Sequence, residues 1–488
     1  MFKWKMLGLD PEVLWAFKKA LQTVVLAIIV GKLVGGPVLV AVTFMGAQFA
    51  AKKKAGWAVA CGLMIPFLTN LTNQLVSHSG GFGMLNKVCI FAMLLILMPL
   101  ATGGERWKKT MPFMMLYVYL AIAAVSSAHG WCPVVSYLKI VLFGSFLLCC
   151  SVMASAMQRS DLDLIQVRAI FLVVAVVFIC GSAVTLFLPG IGYSMYQNLS
   201  VTGDLKDVGM LLFSGVAFHS QALAPIVACV NAWVLCDMLF VQRRLTRLHM
   251  VMLGLALVLL YKTHSRTGFV AYSISSAIIL LVAMPKAKIP FWLKRRMTSL
   301  SYGLAALLLV VGLIVEVRDH KVTAWLRKVD EAAVETDERG LMEAVTASRK
   351  GSNEMNLRDF NQNRILGMGF QTMEWHAAAY RAGQLSIWSA PIEKGVMPLM
   401  ILGETGIVGA VVFVLFLFHF YGTCFAKRYT ALMSTFTAVL ASNIGEATFF
   451  STTATGGIIL MTSLVGGFCI DLIAERRMEV PFQFWGPR

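Results

Sequence analysis

Long apolar runs separated by short polar turns make up most of this chain. About 14 such runs, centred near residues 27, 43, 66, 93, 120, 143, 178, 231, 255, 276, 308, 408, 438 and 465, approach the length needed to cross roughly 30 Å of hydrocarbon. The pattern predicts an all-α fold, a polytopic transmembrane bundle of about 12–14 helices. The first two runs read either as a hairpin turning at Gly35–Gly36 or as one span with a re-entrant piece. The Met1–Lys19 stretch mixes Lys3, Lys5, Lys18 and Lys19 with Asp10 and Glu12, and no small-residue cleavage site follows it. It is expected to be a retained cytoplasmic end rather than a signal peptide.

Charge adds a direction to the pattern. Basic residues gather in short turns: Lys52–Lys54, Arg106–Lys109, Arg243–Arg247, Lys286–Arg296, Lys427–Arg428 and Arg476–Arg477. Placing Lys52–Lys54 in the cytoplasm and alternating sides puts every one of these clusters inside, as the positive-inside rule requires. Ser77–Gly83, Gly130–Trp131, Pro189–Gln221, Lys262–Gly268 and Arg318–Lys394 then fall outside. Both termini are expected in the cytoplasm. The net charge of +17 therefore reports topology, and nucleic acid is not an expected partner.

One outer segment departs from the short-turn rule. Arg318–Lys394 carries eleven basic and eleven acidic residues, so it lacks the cytoplasmic bias. The chain thus divides into N-terminal membrane helices (1–317), a large periplasmic loop (318–395), and C-terminal helices with a short tail (396–488). Within the loop, Ala324–Ala347 has helical periodicity. Trp325, Phe360, Phe370, Trp375, Tyr380 and Trp388 favour folding back onto the membrane domain. Loops of this length are usually functional or disordered.

Composition agrees with the class. The chain is 58% hydrophobic and 14% charged, whereas soluble domains carry about 25% charged residues. Mean hydropathy is +0.74. Of the ten cysteines, Cys61, Cys89, Cys149, Cys150, Cys180, Cys229, Cys236 and Cys469 lie in apolar runs, where a thiol is a small hydrophobe. None falls in the long loop, and no metal-ligand spacing is visible. No metal or cofactor is expected.

The candidate chemistry clusters at the outer face. Lys262, His264 and Arg266 crowd the turn Lys262-Thr263-His264-Ser265-Arg266-Thr267-Gly268, on the side where the positive-inside bias does not operate. Snorkelling to lipid phosphate is the plain reading. Binding of a diphosphate by the guanidinium fork is the functional one. Arg349, in Ser348-Arg349-Lys350-Gly351, adds outer positive charge, or else pairs with loop acids such as Glu343, Glu354 and Asp359. Gly367-Met368-Gly369-Phe370 is a glycine turn whose N–H groups suit an approaching anion. His219, with Gln221 beside it, is either an interfacial hydrogen-bonding histidine or a sugar-binding group. Glu404 lies inside an apolar run, where a carboxylate is costly and is expected to be paired or functional. The orienting role, with Lys262 or an arginine as partner, is the expectation. Asn443 and Glu446 carry the same reading.

In this order the motifs resemble the O-antigen ligase and polymerase family of bacterial surface-polysaccharide assembly, over residues 200–420. The resemblance rests on Ser265-Arg266-Thr267-Gly268 closing a span, then Arg349 and Leu366-Gly367-Met368-Gly369-Phe370 in an outer loop. Glu404-Thr405-Gly406-Ile407-Val408-Gly409 on the returning helix completes it. The Phe213–Pro225 stretch looks like the family's Phe-x-Gly segment, with Ser220-Gln221 in place of an Asn-rich turn. The resemblance implies a metal-independent glycosyltransferase. Such an enzyme takes glycan from an undecaprenyl diphosphate carrier, and Arg266 and Arg349 match the arginines that hold the diphosphate. Ser265, His219, Gln221, Lys262, Gly367 and Gly369 join them as substrate-binding candidates.

One departure bears on the reaction. Where ligases carry a His-Asn pair before the Glu-x-Gly, this chain reads Ala390-Pro391-Ile392-Glu393-Lys394-Gly395. Glu393 and His376 are then rival catalytic bases. The absent histidine favours polymerisation of lipid-linked repeats over ligation to lipid A–core or protein. The resemblance also implies a chain-length regulator and a flippase as partners. The rival class is a transporter or flippase, with Glu404, Glu446 and Lys262 lining a path. Its signatures, an internal repeat and polar residues at mid-bilayer, are not evident in the sequence. A non-catalytic scaffold, in which the arginines are dispensable, is the third reading.

Overall fold

The first helices show how glycine and proline divide a continuous apolar run. In the computed structural model, α1 (Pro11–Val34) starts on a proline, where the missing N–H has no intrahelical role anyway. It ends where Gly35 adopts φ +68°, and α2 (Pro37–Ala51) leaves from the next turn. A side chain at Gly35 would meet the Ser79 Oγ at 2.5 Å, so backbone freedom and close packing both require glycine. α1 and α2 thus meet in a turn at Gly35–Gly36, and α2, at 15 residues, is the shorter of the two. The structure describes residues 9–79, 81–101, 113–188, 191–199, 205–243, 246–280, 350–383, 395–445, 448–452 and 454–479. The span expected near residue 308 and the helix expected over Ala324–Ala347 lie outside them.

The chain continues through α3 (Ala55–Thr69), α4 (Phe82–Ala101), α5 (Met114–Ser127) and α6 (Pro133–Ala156). α7 (Asp161–Ala175) runs on through a π turn, Val176–Gly181, to Thr185. A two-stranded antiparallel hairpin follows, β1 (Tyr193–Leu199) with β2 (Leu205–Phe213). Nothing in the outer Pro189–Gln221 segment predicts this hairpin from sequence. Then come α8 (Ser220–Cys236), with a π turn at Asp237–Gln242, α9 (Arg247–Lys262) and α10 (Arg266–Ile278). Beyond residue 350 lie α11 (Lys350–Gln362), α12 (Glu374–Arg381), α13 (Met397–Lys427) and α14 (Thr430–Asn443). The last described elements are α15 (Ala454–Met461), a π turn at Thr462–Gly467, and α16 (Phe468–Glu479).

Among the described residues, seven helices are long and apolar enough to cross a membrane, and three shorter apolar ones accompany them. The protein is an all-α membrane protein, with one β hairpin among the described residues. Burial sorts the helices into a centre and a rim. The most apolar stretch of the α8 span is buried throughout, against one third of that of α1. The rim faces lipid with rows such as Val411, Leu415 and Phe418 on α13, spaced as one helical face.

Contacts between turns gather them at two ends. At one end Asp163 Oδ1 accepts the Gly56 N–H at 2.6 Å, Arg476 pairs with Asp161, and Asp471 caps α14. The basic turns at Lys52–Lys54, Arg159 and Lys427–Arg428 adjoin these contacts. At the other end Leu71 bridges Ala217, the Trp131 N–H donates to the Met368 carbonyl, and Gln371 Nε2 donates to the Phe450 carbonyl. The described turns are thus gathered at two ends of the bundle, with these basic turns at one of them.

The basic end is fastened by buried carboxylates. Asp163 serves two helices: Ser160 caps α7 by accepting its N–H, while its own carboxylate caps α3. Arg168 donates to both oxygens of Asp237, at 2.6 and 2.9 Å. His249 is the second partner of this carboxylate, its Nε2 lying 2.9 Å from Asp237 Oδ2. Thr246 contacts the other ring nitrogen of His249. A charged group away from water needs such pairing.

Candidate functional site

Two helix starts lie side by side at the end opposite the basic turns. α8 begins at His219, whose Nδ1 accepts the Gln221 N–H at 3.2 Å, while its carbonyl accepts from Ala222 and Leu223. α10 begins at Ser265, whose Oγ accepts the Gly268 N–H at 3.3 Å. The turn between α9 and α10 is tight because His264 takes a left-handed φ of +51°. One turn inside, Gly268 touches Ala224: a Cβ there would come within 2.6 Å of the Ala224 Cβ. Deeper still, Ala228 and Ala271 pack together with Ala441 of α14. The contacts advance in step along both helices, so α8 and α10 run parallel. Parallel N-termini add their partial positive charges on the same side.

Arg266 is the first residue of α10 and is half-buried, as are His219 and Gln221. Lys262 is exposed at the end of α9. Ser265, Arg266, His219 and Gln221 are therefore brought into one neighbourhood from two distant parts of the sequence. With Nδ1 acting as acceptor, neutral His219 carries its proton on Nε2, a donor suited to an oxygen ligand.

The glycine turn of the loop does something other than expected. α13 is broken at Gly406, which takes φ +61° and ψ −163°. The loop backbone enters the break. Met368 N donates to the Gly403 carbonyl at 2.8 Å and Gly369 N to the Glu404 carbonyl at 3.1 Å. Across the break, Ile407 N donates to the Arg364 carbonyl at 2.9 Å and Val408 N to that of Ile365 at 3.3 Å. Groups that a helix interruption leaves without partners are satisfied by the loop. Gly367 N donates to the Asn363 carbonyl and Phe370 N to Ser127 Oγ. The N–H groups of Gly367 and Gly369 are engaged within the protein, so the turn is a docking device and not an open anion cradle.

Glu404 is buried beside this junction. Ser126 Oγ donates to its carbonyl at 2.5 Å, and Tyr119 of α5 lies within electrostatic reach of its side chain. Its helix packs against α5, α11 and α14, whereas Lys262 belongs to α9, which packs against α8 and α10. Lys262 is thus placed with the α8–α10 pair, away from Glu404. Asn443 closes its own turn by accepting the N–H groups of Thr448 and Phe449, both at 2.7 Å.

That turn joins the two regions. Gly445 abuts Thr267 on one side, and the Phe450 carbonyl holds Gln371 on the other. Gln371 adopts φ +52° while buried, and its own carbonyl accepts from Lys139 Nζ at 3.1 Å. The Lys139 ammonium also sits over the Tyr380 ring at 5.7 Å. Burial raises the Tyr380 phenol above the ordinary tyrosine range. Arg349, Glu393 and Glu446 lie outside the described residues, as does the side chain of His376 on α12.

Three features escaped the sequence reading. Arg168 and Asp237 interrupt apolar runs as Glu404 does, and the same rule would have found them. Lys139 sits in an otherwise apolar helix and carried the same signal. His78, in the segment between α3 and α4, carried no motif at all. Among the described residues, no histidine, cysteine, aspartate and glutamate cluster is grouped to hold a metal ion. No family model matches the chain, and no curated protein matches it.

Proposed function

We propose that the protein is a polysaccharide polymerase at the outer face of the bacterial inner membrane. It joins undecaprenyl-diphosphate-linked oligosaccharide repeats into an exopolysaccharide, capsule or O-antigen. The observation that supports this best is the parallel pair of helix starts, capped by His219 and Ser265 and headed by Arg266. An N-terminal turn favours a nearby anion by about 0.3–1 kcal/mol, more when partly buried. Hydrogen bonds involving a charged group such as a guanidinium contribute roughly 1.5–3 kcal/mol. Together they favour the diphosphate most as the glycosidic bond breaks and negative charge builds on the leaving group.

In this reading the glycan donor lies with its diphosphate against α8 and α10, and its lipid in the bilayer. Arg266 neutralises the leaving group, and His219 Nε2–H donates to one of its oxygens. Arg349 is the second cation in this reading. The large loop is periplasmic, and both termini are cytoplasmic. Glu404 orients the junction of the loop with α13. A chain-length regulator and a flippase act in the same pathway.

A transporter for lipid-linked glycans is the reading of another class, and the interruption of α13 at Gly406 favours it, since broken helices line many transport sites. Here, however, the break is filled by the protein's own loop backbone. Gene deletion with Arg266→Ala and Arg349→Ala complementation tests the proposal through the carrier-linked glycans. Single lipid-linked repeats accumulate if it is a polymerase. Finished lipid-linked polymer indicates ligation, and repeats held on the cytoplasmic leaflet indicate transport. Full-length polymer from both variants, stably present in membranes, overturns the assignment.

A further inference from the structure

His78 belongs to a segment that is stitched in place on two sides. Its neighbours are tied to the α1–α2 turn, with Ser77 N donating to the Gly31 carbonyl and Gly36 N to that of Ser79. On the other side, Thr72 N donates to the Val216 carbonyl and Phe218 N to that of Asn70. The imidazole itself lies between Phe82 and Phe218, with ring centroids 4.7 and 5.2 Å away. Phe218 is the residue immediately before His219, so His78 borders the start of α8.

The hydrogen bonding of this ring fixes its tautomer. One nitrogen hydrogen-bonds the Leu71 backbone, while Nε2 is buried with no hydrogen-bond partner among the described residues. The bonded nitrogen is therefore Nδ1, and a backbone carbonyl accepts its proton. That leaves the lone pair on Nε2. His219 has the opposite arrangement, its Nδ1 accepting and its Nε2 carrying the proton. Two histidines beside one helix start are thus set as a donor and an acceptor. Burial keeps His78 below the ordinary histidine range, so the ring is neutral near pH 7.

We propose that His78 is the general base of the transfer, taking the proton from the acceptor sugar hydroxyl at Nε2. This rests on the polymerase reading. The hydroxyl oxygen forms a bond to the anomeric carbon of the donor glycan. The bond from that carbon to the diphosphate oxygen breaks, and the diphosphate keeps the electron pair. The hydroxyl proton passes to Nε2, giving an imidazolium whose Nδ1–H stays on the Leu71 carbonyl. The half-exposed Phe218 ring is what the acceptor displaces to reach the nitrogen.

The experiment uses the purified full-length chain in detergent, with lipid-linked glycan extracted from the deletion strain as substrate and undecaprenyl diphosphate as the binding probe. His78→Phe keeps an aromatic ring between Phe82 and Phe218, and His78→Gln keeps a polar group. Both are expected to bind undecaprenyl diphosphate as wild type does and to lose at least about 100-fold in elongation rate. His78→Ala is expected to regain part of that rate with added imidazole, which a structural role would not allow. Wild-type rates in His78→Phe or His78→Gln overturn the proposal, as does a defect in all three variants that imidazole leaves unchanged. If Arg266→Ala elongates normally as well, the polymerase reading fails. If Arg266→Ala is inactive while His78→Phe is active, only the role of His78 fails.

Discussion

Gly367 lies with its α-carbon against the Glu404–Thr405 peptide, so that a Cβ built on it would stand 2.4 Å from the Glu404 carbonyl carbon. Its φ of +73° excludes most side chains before any contact is considered. Gly367→Ala should therefore undock the loop from α13. The backbone conformation alone costs roughly 1–2 kcal/mol, and the clash with a peptide group adds to it. A lower melting temperature in detergent, with new protease cleavage between residues 363 and 372, is the expected result. An unchanged melting temperature would mean that the loop does not hold the break closed.

The Arg168–Asp237 pair should behave as a buried ion pair. Asp237→Ala leaves a guanidinium enclosed without its carboxylate, at a cost of about 3–5 kcal/mol. Replacing both residues together, Arg168→Met with Asp237→Leu, should recover most of that loss. Detergent melting curves of the single and double variants decide it. Equal destabilisation in both would show that the charges do not compensate one another.

Asp471 accepts the N–H groups of Ala431 and Leu432, one on each carboxylate oxygen, both at 2.9 Å. It acts as the N-cap that α14 lacks in its own sequence, where Tyr429 stands at the cap position. Asp471→Ala should cost about 0.5–2 kcal/mol, as other cap deletions do. Asp471→Asn keeps one acceptor oxygen and should cost less. Hydrogen exchange at residues 431–433 should rise in the alanine variant. If it stays at the wild-type level, the cap is supplied elsewhere.

Acid should destabilise the fold through His78. Burial lowers its pKa in the folded protein, so between the folded and unfolded values the unfolded chain binds the extra proton. The stability it contributes is complete above the unfolded value, about 6.5, and is lost as pH falls from there through the folded one. Melting temperature should fall between pH 7.5 and 5.5, and His78→Phe should fall less over the same interval. A steeper fall in the variant would reverse the assigned direction.

Much of the architecture was written in the apolar runs, because a membrane leaves few alternatives for backbone polar groups. Basic turns such as Lys52–Lys54 and Lys427–Arg428 do fall together at one end of the bundle. The β1–β2 hairpin was missed because its short strands sit in a turn region without a clear alternation. The break at Gly406 was missed because glycine is common within membrane helices, and only the docking of Gly367 and Gly369 distinguishes this one. Arg266 and Ser265 were singled out as candidates from charge against the topological rule. Their meeting with His219 depends on how Gly268 packs on Ala224, a contact between residues far apart in sequence. His78 was invisible because its tautomer is set by the Leu71 carbonyl, which no side-chain pattern reports.

The carboxylate caps at the basic end also fix an order of biogenesis. Asp163 arrives more than a hundred residues after Gly56, and Asp471 forty residues after Ala431. Each capped helix is synthesised before the group that completes its first turn. The first turns of α3 and α14 therefore stay open until a carboxylate from a later helix packs against each of them. A chain that stops short of Asp471 would hold every residue of α14 and still leave its first turn unsealed.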